Sequence, residues 1–327
     1  MDAIMYAQER AKEALQECYS LHDEEQLAAC VLESATKALK KWRGEGKVHE
    51  AALKKIGEKL ENYLCQTAYE DAETTTPRRS FQWESEDQGM LDVDILHRHP
   101  ASQIHVIHNF VDPEECQAVR DAAPPEWHKQ ADINDATKFS TQQLSPWQAA
   151  MELPWQLETQ RHPLTTLSRR VFDYTNYALG WNISEHGQEP PLSIRYYGPE
   201  HYSQHRTVQP PDQYTAHCDG PCDGGSHQPS DRIATMILYC QTATKGGHTH
   251  FRNAGVHVLP EIGMGLFLSY VNPSTLERDT GFTEHSGCPV FEGEKHIVTQ
   301  YIRREVNQET PWDSFGSLGN RLSTRET

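Results

Sequence analysis

The segment Gln213–Gly220, with the sequence QYTAHCDG, contains two side chains that could bind one metal ion, His217 and Asp219. Residues two positions apart on a β-strand point to the same side, so both side chains could reach the same ion. The chain has 18 His and 47 Asp plus Glu among 327 residues, and roughly two or three His-x-Asp/Glu triplets are expected by chance. The pair therefore gains weight only if a third ligand lies elsewhere in the chain.

A third histidine would complete a triad of two histidines and one carboxylate. Such a triad binds iron(II) and leaves three coordination positions open, enough for a bidentate cosubstrate and dioxygen. The third ligand should lie well downstream, on another strand. The histidines available there are His227, His248, His250, His257, His285 and His296.

His285 differs from the other candidates because a lysine follows it ten residues later. Glu292-Gly293 predicts a turn, so a strand that carries His285 would fold back into a strand that carries Lys295. A lysine that points into a metal site is costly unless it meets an anion. A dicarboxylate cosubstrate would supply that anion, because its far carboxylate can accept a charge-assisted hydrogen bond from the ammonium.

Helical periodicity dominates the first part of the chain. Apolar residues recur at spacings of three and four to about residue 68, and we interpret residues 1–75 as a helical region for packing or dimerisation, with a peptide-binding module as the alternative. Residues 76–100 are polar and aperiodic, which favours a linker or extended arm. Residues 101–305 form the main predicted domain, and residues 306–327 are predicted to be a disordered tail.

Within residues 101–305, one short strand and two helices precede the other predicted strands. One helix is predicted to begin after Asp112, and a second to run from Pro163 to a glycine stop at Gly180. The predicted strands are Ile104–Ile107, Ser193–Tyr197, Ile233–Cys240, His248–Phe251, Val256–Leu259, Gly265–Val271 and Ile297–Ile302. This order indicates helices packed on an antiparallel β-sandwich or barrel.

The overall charge and the cysteine content limit the class of protein. A net charge of −17 disfavours nucleic acid as a partner, because phosphates repel an acidic surface. The longest apolar stretch is too short for a membrane span, and the N-terminus does not resemble a signal peptide. We therefore expect a cytoplasmic protein by default, or one from the endoplasmic reticulum lumen if an upstream signal was removed. The eight cysteines form no CxxC pair, and Cys218 and Cys222 could pair or remain thiols.

From about Ser193 to Arg303 the chain resembles the catalytic domain of prolyl 4-hydroxylases, within the iron(II)/2-oxoglutarate dioxygenases. The order and spacing of several motifs agree over about a third of the chain. These motifs are Tyr197-Gly198, Gln213-Tyr214-x-x-His217-x-Asp219, Asp231–Tyr239 (DRIATMILY), Gly246–Phe251 (GGHTHF), Gly255–Pro260 (GVHVLP) and His285-x-x-Cys288-Pro289-Val290-x-x-Gly293-x-Lys295. Residues 108–116 (HNFVDPEEC) also resemble the beginning of that domain.

The resemblance implies a fold, a site and a reaction. The fold would be α+β, with a double-stranded β-helix (jelly roll) core flanked by helices and preceded by the N-terminal helical region. Iron(II) would be bound by His217, Asp219 and His285, and Lys295 would bind the distal carboxylate of 2-oxoglutarate. Tyr197 and Thr249 would help to hold that carboxylate, and ascorbate is a further cofactor candidate. An inward Thr249 would turn its neighbours His248 and His250 outward.

The reaction implied is hydroxylation of a substrate C–H bond with release of succinate and carbon dioxide. The presence of Asp219 argues against a halogenase, whose similar site lacks that carboxylate. Three functions stay open: a hydroxylase of proline in a peptide or protein, a hydroxylase of another side chain or small molecule, and a non-catalytic scaffold that keeps the fold. An oligomer could form through residues 1–75.

Two departures from the family pattern concern the substrate. The segment between Tyr197 and His217 is longer than usual, and it could be a substrate lid or a tolerated surface insertion. The arginine that family members use for the substrate has no clear counterpart in residues 125–160. Both departures bear on the prolyl substrate more than on the chemistry of the site.

Overall fold

The computed structural model describes residues 30, 55, 57–67, 70, 72–123, 128–129, 146–204 and 210–315. The chain divides into two compact units, residues 1–59 and 60–327. Most of the predicted helical region lies outside the described residues, so that expectation remains a prediction. The predicted disordered tail is described for residues 306–315, where the structure differs from the prediction, because Val306 is buried and Trp312–Ser314 form a helical turn. Residues 316–327 lie outside the described residues. The elements below belong to the second unit.

The second unit consists of antiparallel strands with a few helices. Its described strands are β1 (Arg79–Ser85), β2 (Gly89–His99), β3 (Ser102–Ile107), β4 (His128–Lys129), β5 (Trp147–Ala150), β6 (Leu192–Tyr197), β7 (Tyr214–His217), β8 (Arg232–Gln241), β9 (Lys245–Gly246), β10 (Thr249–Phe251), β11 (Val256–Val258), β12 (Gly265–Ser269), β13 (His285–Gly287), β14 (Val290–Glu292) and β15 (Glu294–Arg303). Its described α-helices are α1 (Pro113–Ala122), α2 (Pro163–Leu179) and α3 (Pro199–Gln204). Shorter helical turns span Tyr63–Thr67, Trp155–Gln160 and Trp312–Ser314.

The residues predicted to form the site lie on or next to strands of two sheets. The large sheet has the strand order β1-β2-β3-β12-β8-β15-β6-β5-β4, and the smaller one has the order β11-β10-β13-β7. The central strands β8 and β15 are buried along almost their whole length on both faces. One cavity is lined by residues of both sheets. The predicted antiparallel strands and flanking helices are therefore present, whereas the assignment to a jelly roll remains a prediction.

The structure differs from the predicted linker at residues 76–100. There β1 and β2 form a hairpin at the edge of the large sheet, with Phe81 opposite Val93 and Trp83 opposite Leu91. Trp83, Leu91 and Val93 are buried in the main hydrophobic core. Apolar and polar residues alternate along both strands, because one face of the hairpin packs against the core and the other faces solvent. The polar residues make the segment polar on average, which favoured a linker in the prediction.

The two longer helices begin as their sequences predict. Asp112 and Glu115 form a reciprocal capping box at the start of α1. Helix α2 begins after His162 and ends at Gly180, whose positive φ of 67° suits a glycine. A disulfide between Cys116 and Cys240 joins α1 to the end of β8. The helix is thereby fixed to a central strand of the large sheet.

Three disulfides have both cysteines among the residues that the structure describes: Cys65–Cys288, Cys116–Cys240 and Cys218–Cys222. Cys30 is also disulfide-bonded, so none of the described cysteines is a free thiol. The chain therefore forms the Cys218–Cys222 pair that the sequence left open. Within the described ranges, no helix has the length and apolar composition that crossing a membrane requires.

Candidate metal centre

His217, Asp219 and His285 converge at one end of the cavity. His217 ends β7 and lies directly opposite His285 on β13, and Asp219 follows two residues after the end of β7. One ligand atom from each of the three residues lies within 4.8 Å of the other two. Nε2 of His217 is 3.3 Å from Asp219 Oδ1, and Nε2 of His285 is 3.8 Å from Asp219 Oδ2.

Both histidines are oriented by the same local contact. Nδ1 of His217 donates to the carbonyl oxygen of Thr215 over 2.9 Å, and Nδ1 of His285 donates to that of Thr283, also over 2.9 Å. A carbonyl oxygen can only accept, so the proton of each neutral ring lies on Nδ1 and the lone pair on Nε2. Hydrogen bonds of this kind orient histidine ligands in metal sites.

The charge states of His285 and Asp219 also suit the binding of a cation. Burial lowers the pKa of His285 to about 4, so this imidazole is neutral at physiological pH. Burial alone would raise the pKa of Asp219, but the neighbouring His285, His217 and Arg232 favour the carboxylate and hold its pKa below the usual range. Asp219 Oδ2 is buried and has no hydrogen-bond donor among the described residues. Two imidazoles that present Nε2 and one such carboxylate fit iron(II).

Lys295 lies in the same cavity and is 1% exposed. Burial lowers the pKa of its ammonium to about 7. Its Nζ lies 4.9 Å from the centre of the Tyr196 ring and 5.6 Å from that of the Tyr239 ring. No carboxylate forms an ion pair with Lys295 in the part of the chain that the structure describes, so the cavity contains a buried cationic group that an anion would stabilise.

The expectation for Tyr197 requires a correction, because Tyr196 and not Tyr197 lines the cavity. Tyr196 is the cross-strand partner of Lys295 in the β6–β15 pair, so the two side chains share a face. Tyr197 is half-buried and stacks on His201 of α3, with ring centres 3.8 Å apart. The alternation of Ile194 and Tyr196 with the charged Arg195 was the sequence signal for this register.

Thr249 lines the cavity, as its predicted inward direction requires. Its hydroxyl lies 2.8 Å from the hydroxyl of Tyr239. His248 and His250 point to the other side of β10, where each lies within hydrogen-bonding distance of His257: 3.0 Å for His248 and 3.2 Å for His250. Burial lowers the pKa of His248 and of His250 to about 4, and that of His257 to about 3.

Arg232, to which the sequence motifs assign no role, holds the backbone at Asp219 in place. Nη1 of Arg232 donates to the carbonyl oxygen of Asp219 over 2.9 Å, and the guanidinium covers the Tyr301 ring at 3.5 Å. Glu189 accepts two hydrogen bonds from Arg232, each 2.6 Å long, and a third from Arg303 over 2.5 Å. The sequence distance of 43 residues between Glu189 and Arg232 left no signal for this pairing.

Only part of the long segment before β7 can be assigned. It begins with α3, and residues 205–209 lie outside the described residues. Asp212 is fully buried and accepts hydrogen bonds from the Tyr197 backbone N–H and the Tyr202 hydroxyl, at 3.0 and 2.7 Å. Both ends of the segment are therefore attached to β6. Its role as a lid remains a prediction.

Comparison with curated proteins finds prolyl 4-hydroxylases. Over 218 residues the chain is 27% identical to prolyl 4-hydroxylase subunit alpha-3 of Mus musculus, covering 66% of this chain and 36% of the relative. It is 24% identical over 252 residues to probable prolyl 4-hydroxylase 10 of Arabidopsis thaliana, covering 70% of this chain and 78% of the relative. The chain thus spans little more than a third of the alpha-3 subunit's length. No family model matches it.

Two solved structures are similar over most of their own length. The viral collagen prolyl hydroxylase of Paramecium bursaria Chlorella virus-1, in a complex with 2OG, is 21% identical with a TM-score of 0.44, covering 61% of this chain and 94% of that one. A 2OG-Fe(II) oxygenase family oxidoreductase from Burkholderia pseudomallei is 12% identical with a TM-score of 0.36, covering 67% and 88%.

Proposed function

We propose that this chain, which is a member of the prolyl 4-hydroxylase family of iron(II)- and 2-oxoglutarate-dependent dioxygenases, hydroxylates proline in a peptide or protein. The observation that carries the proposal is the presence, in one cavity, of three convergent side chains that could bind a metal and a buried lysine without a carboxylate partner among the described residues. This combination suits a metal together with a dicarboxylate. The curated relatives reported above are prolyl 4-hydroxylases, which supports proline as the target.

The roles of individual residues follow from their chemistry. His217 and His285 would bind iron(II) through Nε2, and Asp219 through its carboxylate. Lys295 would bind the far carboxylate of 2-oxoglutarate, with Thr249 and Tyr196 beside it in the cavity. When bound, iron(II) and 2-oxoglutarate supply the oxidation of a substrate C–H bond by dioxygen, with succinate and carbon dioxide as co-products. Ascorbate remains a further cofactor candidate.

Apolar burial around the site would serve the same reaction. Ile194, Ile237 and Ile297 line the cavity next to the polar groups. They keep the anion-binding lysine out of water, where its attraction to a carboxylate would be weaker. The cavity therefore favours one charged cosubstrate in a single orientation.

The disulfides bear on where such an enzyme would work. All seven cysteines that the structure describes are in disulfides. Disulfides of this number are typical of oxidising compartments and rare in the cytosol. We therefore propose the oxidising alternative, such as the endoplasmic reticulum lumen, over the cytoplasmic default.

The proposal is tested by incubating the protein with iron(II), 2-oxoglutarate, dioxygen and proline-rich peptides. We expect succinate formation that depends on the peptide, and a mass increase of one oxygen atom located on proline by fragmentation. The same peptides with proline replaced by alanine are the substrate control, and His285→Ala is the enzyme control. Oxygen added to the alanine peptides would contradict proline as the target, and succinate formation by His285→Ala would contradict the assigned site.

A further inference from the structure

A disulfide encloses the proposed carboxylate ligand of the metal. Cys218 directly precedes Asp219, and it is bonded to Cys222, four positions further along the chain. We propose that this bridge positions Asp219 for metal binding and makes the affinity of the site for metal depend on the redox state of the bridge. The inference rests on the proposed function, because it takes Asp219 as a metal ligand.

The bridge lies where the regular support of the strand has ended. Strand β7 ends at His217, so Asp219 is outside the ladder that pairs β7 with β13. The side chain of Asp219 contacts the two histidines, and its carbonyl oxygen accepts one hydrogen bond, from Arg232. The next backbone anchor is Gly224, which donates to the carbonyl oxygen of Asp279 over 2.9 Å. The disulfide therefore constrains a segment that has few backbone hydrogen bonds of its own.

The backbone directly after Asp219 passes close to Tyr270. A Cβ atom on Gly220 would lie 2.2 Å from Cε2 of Tyr270 and 3.0 Å from the carbonyl oxygen of Arg232. Only glycine permits this close approach of the backbone. Because the loop passes so near to Tyr270 directly after Asp219, a change in its path would move the carboxylate relative to His217 and His285.

The Cys218–Cys222 bridge is more accessible than the other two fully described bridges. Cys218 and Cys222 are both half-buried. The four cysteines of Cys116–Cys240 and Cys65–Cys288 are buried, at 2–5% exposure. Thiol–disulfide exchange requires access of the attacking thiolate to a sulfur atom. A reductant should therefore open the Cys218–Cys222 bridge first, while the two bridges within the core stay closed.

Reduction would change the site without changing its ligands. A dithiol transfers two electrons and two protons to the bridge, so that the S–S bond breaks, two thiols form, and the dithiol itself becomes a disulfide. The backbone of residues 218–222 then gains conformational freedom, and metal binding has to order Asp219 again. Loss of groups that orient a metal ligand typically lowers metal affinity about 10- to 100-fold, and we expect at least about tenfold here.

The experiment compares the affinity for iron(II) of the oxidised and reduced full chain under anaerobic conditions. One sample is treated with dithiothreitol and desalted anaerobically, and alkylation with mass spectrometry identifies which cysteines have become thiols. Calorimetry then measures iron(II) binding, and hydrogen exchange measures the protection of residues 217–222 in the metal-free protein. We expect thiols at Cys218 and Cys222, at least about tenfold weaker binding, and faster exchange in this segment.

The double variant Cys218→Ser/Cys222→Ser is the matched control. It should bind iron(II) as weakly as the reduced protein, and dithiothreitol should have no further effect on it. Circular dichroism and thermal unfolding establish that it folds. Equal affinities of the oxidised and reduced proteins, or unchanged exchange in residues 217–222, would overturn this inference alone. Failure of the oxidised protein to bind iron(II) would overturn the proposed function as well.

Discussion

Individual side chains in the cavity carry charges that complement an ion and a dicarboxylate. His217 and His285 expose Nε2 because backbone carbonyl groups accept the Nδ1 protons, and Asp219 stays ionised beside them. Asp219 keeps its charge at neutral pH, whereas burial destabilises the charged form of Lys295 and lowers its pKa to about 7. Its charge in the free protein therefore depends on pH within the physiological range.

The pKa of Lys295 predicts how the binding of 2-oxoglutarate depends on pH. Above pH 7 the free amine is largely neutral, whereas the bound carboxylate favours the ammonium and raises its pKa. Binding should therefore take up a proton between pH 7 and roughly 10, and the affinity should fall as the pH rises through this range. Calorimetry of the metal-loaded protein in phosphate and in Tris, which differ in ionisation enthalpy, measures this uptake.

The variant Lys295→Met provides the control for proton uptake. It should bind 2-oxoglutarate weakly at every pH, and binding should take up no proton at position 295, because methionine has no amine. Proton uptake of the same size in Lys295→Met would assign the uptake to another group. Equal affinity of the unmodified protein at pH 7 and pH 9 would contradict the predicted pH dependence.

The sequence was sufficient to predict the inward residues where several motifs coincided. His217, Asp219, His285 and Lys295 were predicted together because their order and spacing resemble those of the prolyl 4-hydroxylase catalytic domain, and the structure brings them into one cavity. Their roles remain predictions. Tyr197 was misplaced because the motif match identified an aromatic position without fixing the register of β6, and a shift of one residue changes the face.

Strand register determines which of two neighbouring tyrosines faces the cavity. Tyr196 lies opposite Lys295 on the cavity face, whereas Tyr197 stacks on His201 of α3. Replacing each tyrosine by phenylalanine removes the same hydroxyl group at the two positions. The comparison therefore separates a role of Tyr196 in the cavity from a role of Tyr197 in packing against α3.

We predict that Tyr196→Phe raises the KM for 2-oxoglutarate and that Tyr197→Phe does not. One hydrogen bond contributes about 0.5–1.5 kcal/mol, which corresponds to roughly a twofold to tenfold change in KM. The KM is measured from succinate formation at saturating peptide. A larger rise for Tyr197→Phe than for Tyr196→Phe would contradict the register that the structure assigns.

At the same scale, the edge hairpin of β1 and β2 escaped prediction for a different reason. Its inward residues, among them Trp83 and Val93, alternate with polar residues, and polar segments flank them. Their burial depends on partners far along the chain, such as Tyr174, whose ring meets the Trp83 ring edge to face at 5.1 Å. The residue pattern of the hairpin alone cannot predict this contact between Trp83 and Tyr174.

Long-range disulfides connect distant parts of the second unit. Cys116–Cys240 spans 124 residues and Cys65–Cys288 spans 223. Their pairing could not be predicted from the sequence, because cysteine spacing alone does not define connectivity. The bridge between Cys116 and Cys240 joins α1 to β8, and neither cysteine lines the cavity. It should therefore act on stability rather than on the site.

We predict that Cys116→Ala/Cys240→Ala lowers the free energy of unfolding and leaves iron(II) affinity unchanged. Removal of a native disulfide typically costs about 2–5 kcal/mol. Urea denaturation measures the stability, and calorimetry of the folded variant measures metal affinity. An unchanged stability, or a loss of metal affinity equal to that of Cys218→Ser/Cys222→Ser, would contradict this division between the two bridges.

We propose that one cavity binds iron(II) through His217, Asp219 and His285 and 2-oxoglutarate through Lys295. The most direct test is an anaerobic titration with iron(II) and 2-oxoglutarate, followed by the visible charge-transfer band of a chelated 2-oxo acid. We expect the band in the unmodified protein and its loss in His285→Ala. In Lys295→Ala it should need roughly 10- to 100-fold more 2-oxoglutarate, because a charge-assisted bond contributes about 1.5–3 kcal/mol.

Lys245→Ala is the matched control, because Lys245 is exposed and pairs with Glu70 and Glu292 at the surface. It should give the same titration as the unmodified protein. A band that depends on His285 and Lys295 but not on Lys245 is the result predicted. The absence of a band in the folded, unmodified protein, or a band that persists unchanged in both His285→Ala and Lys295→Ala, would contradict the assignment of this cavity as the active site.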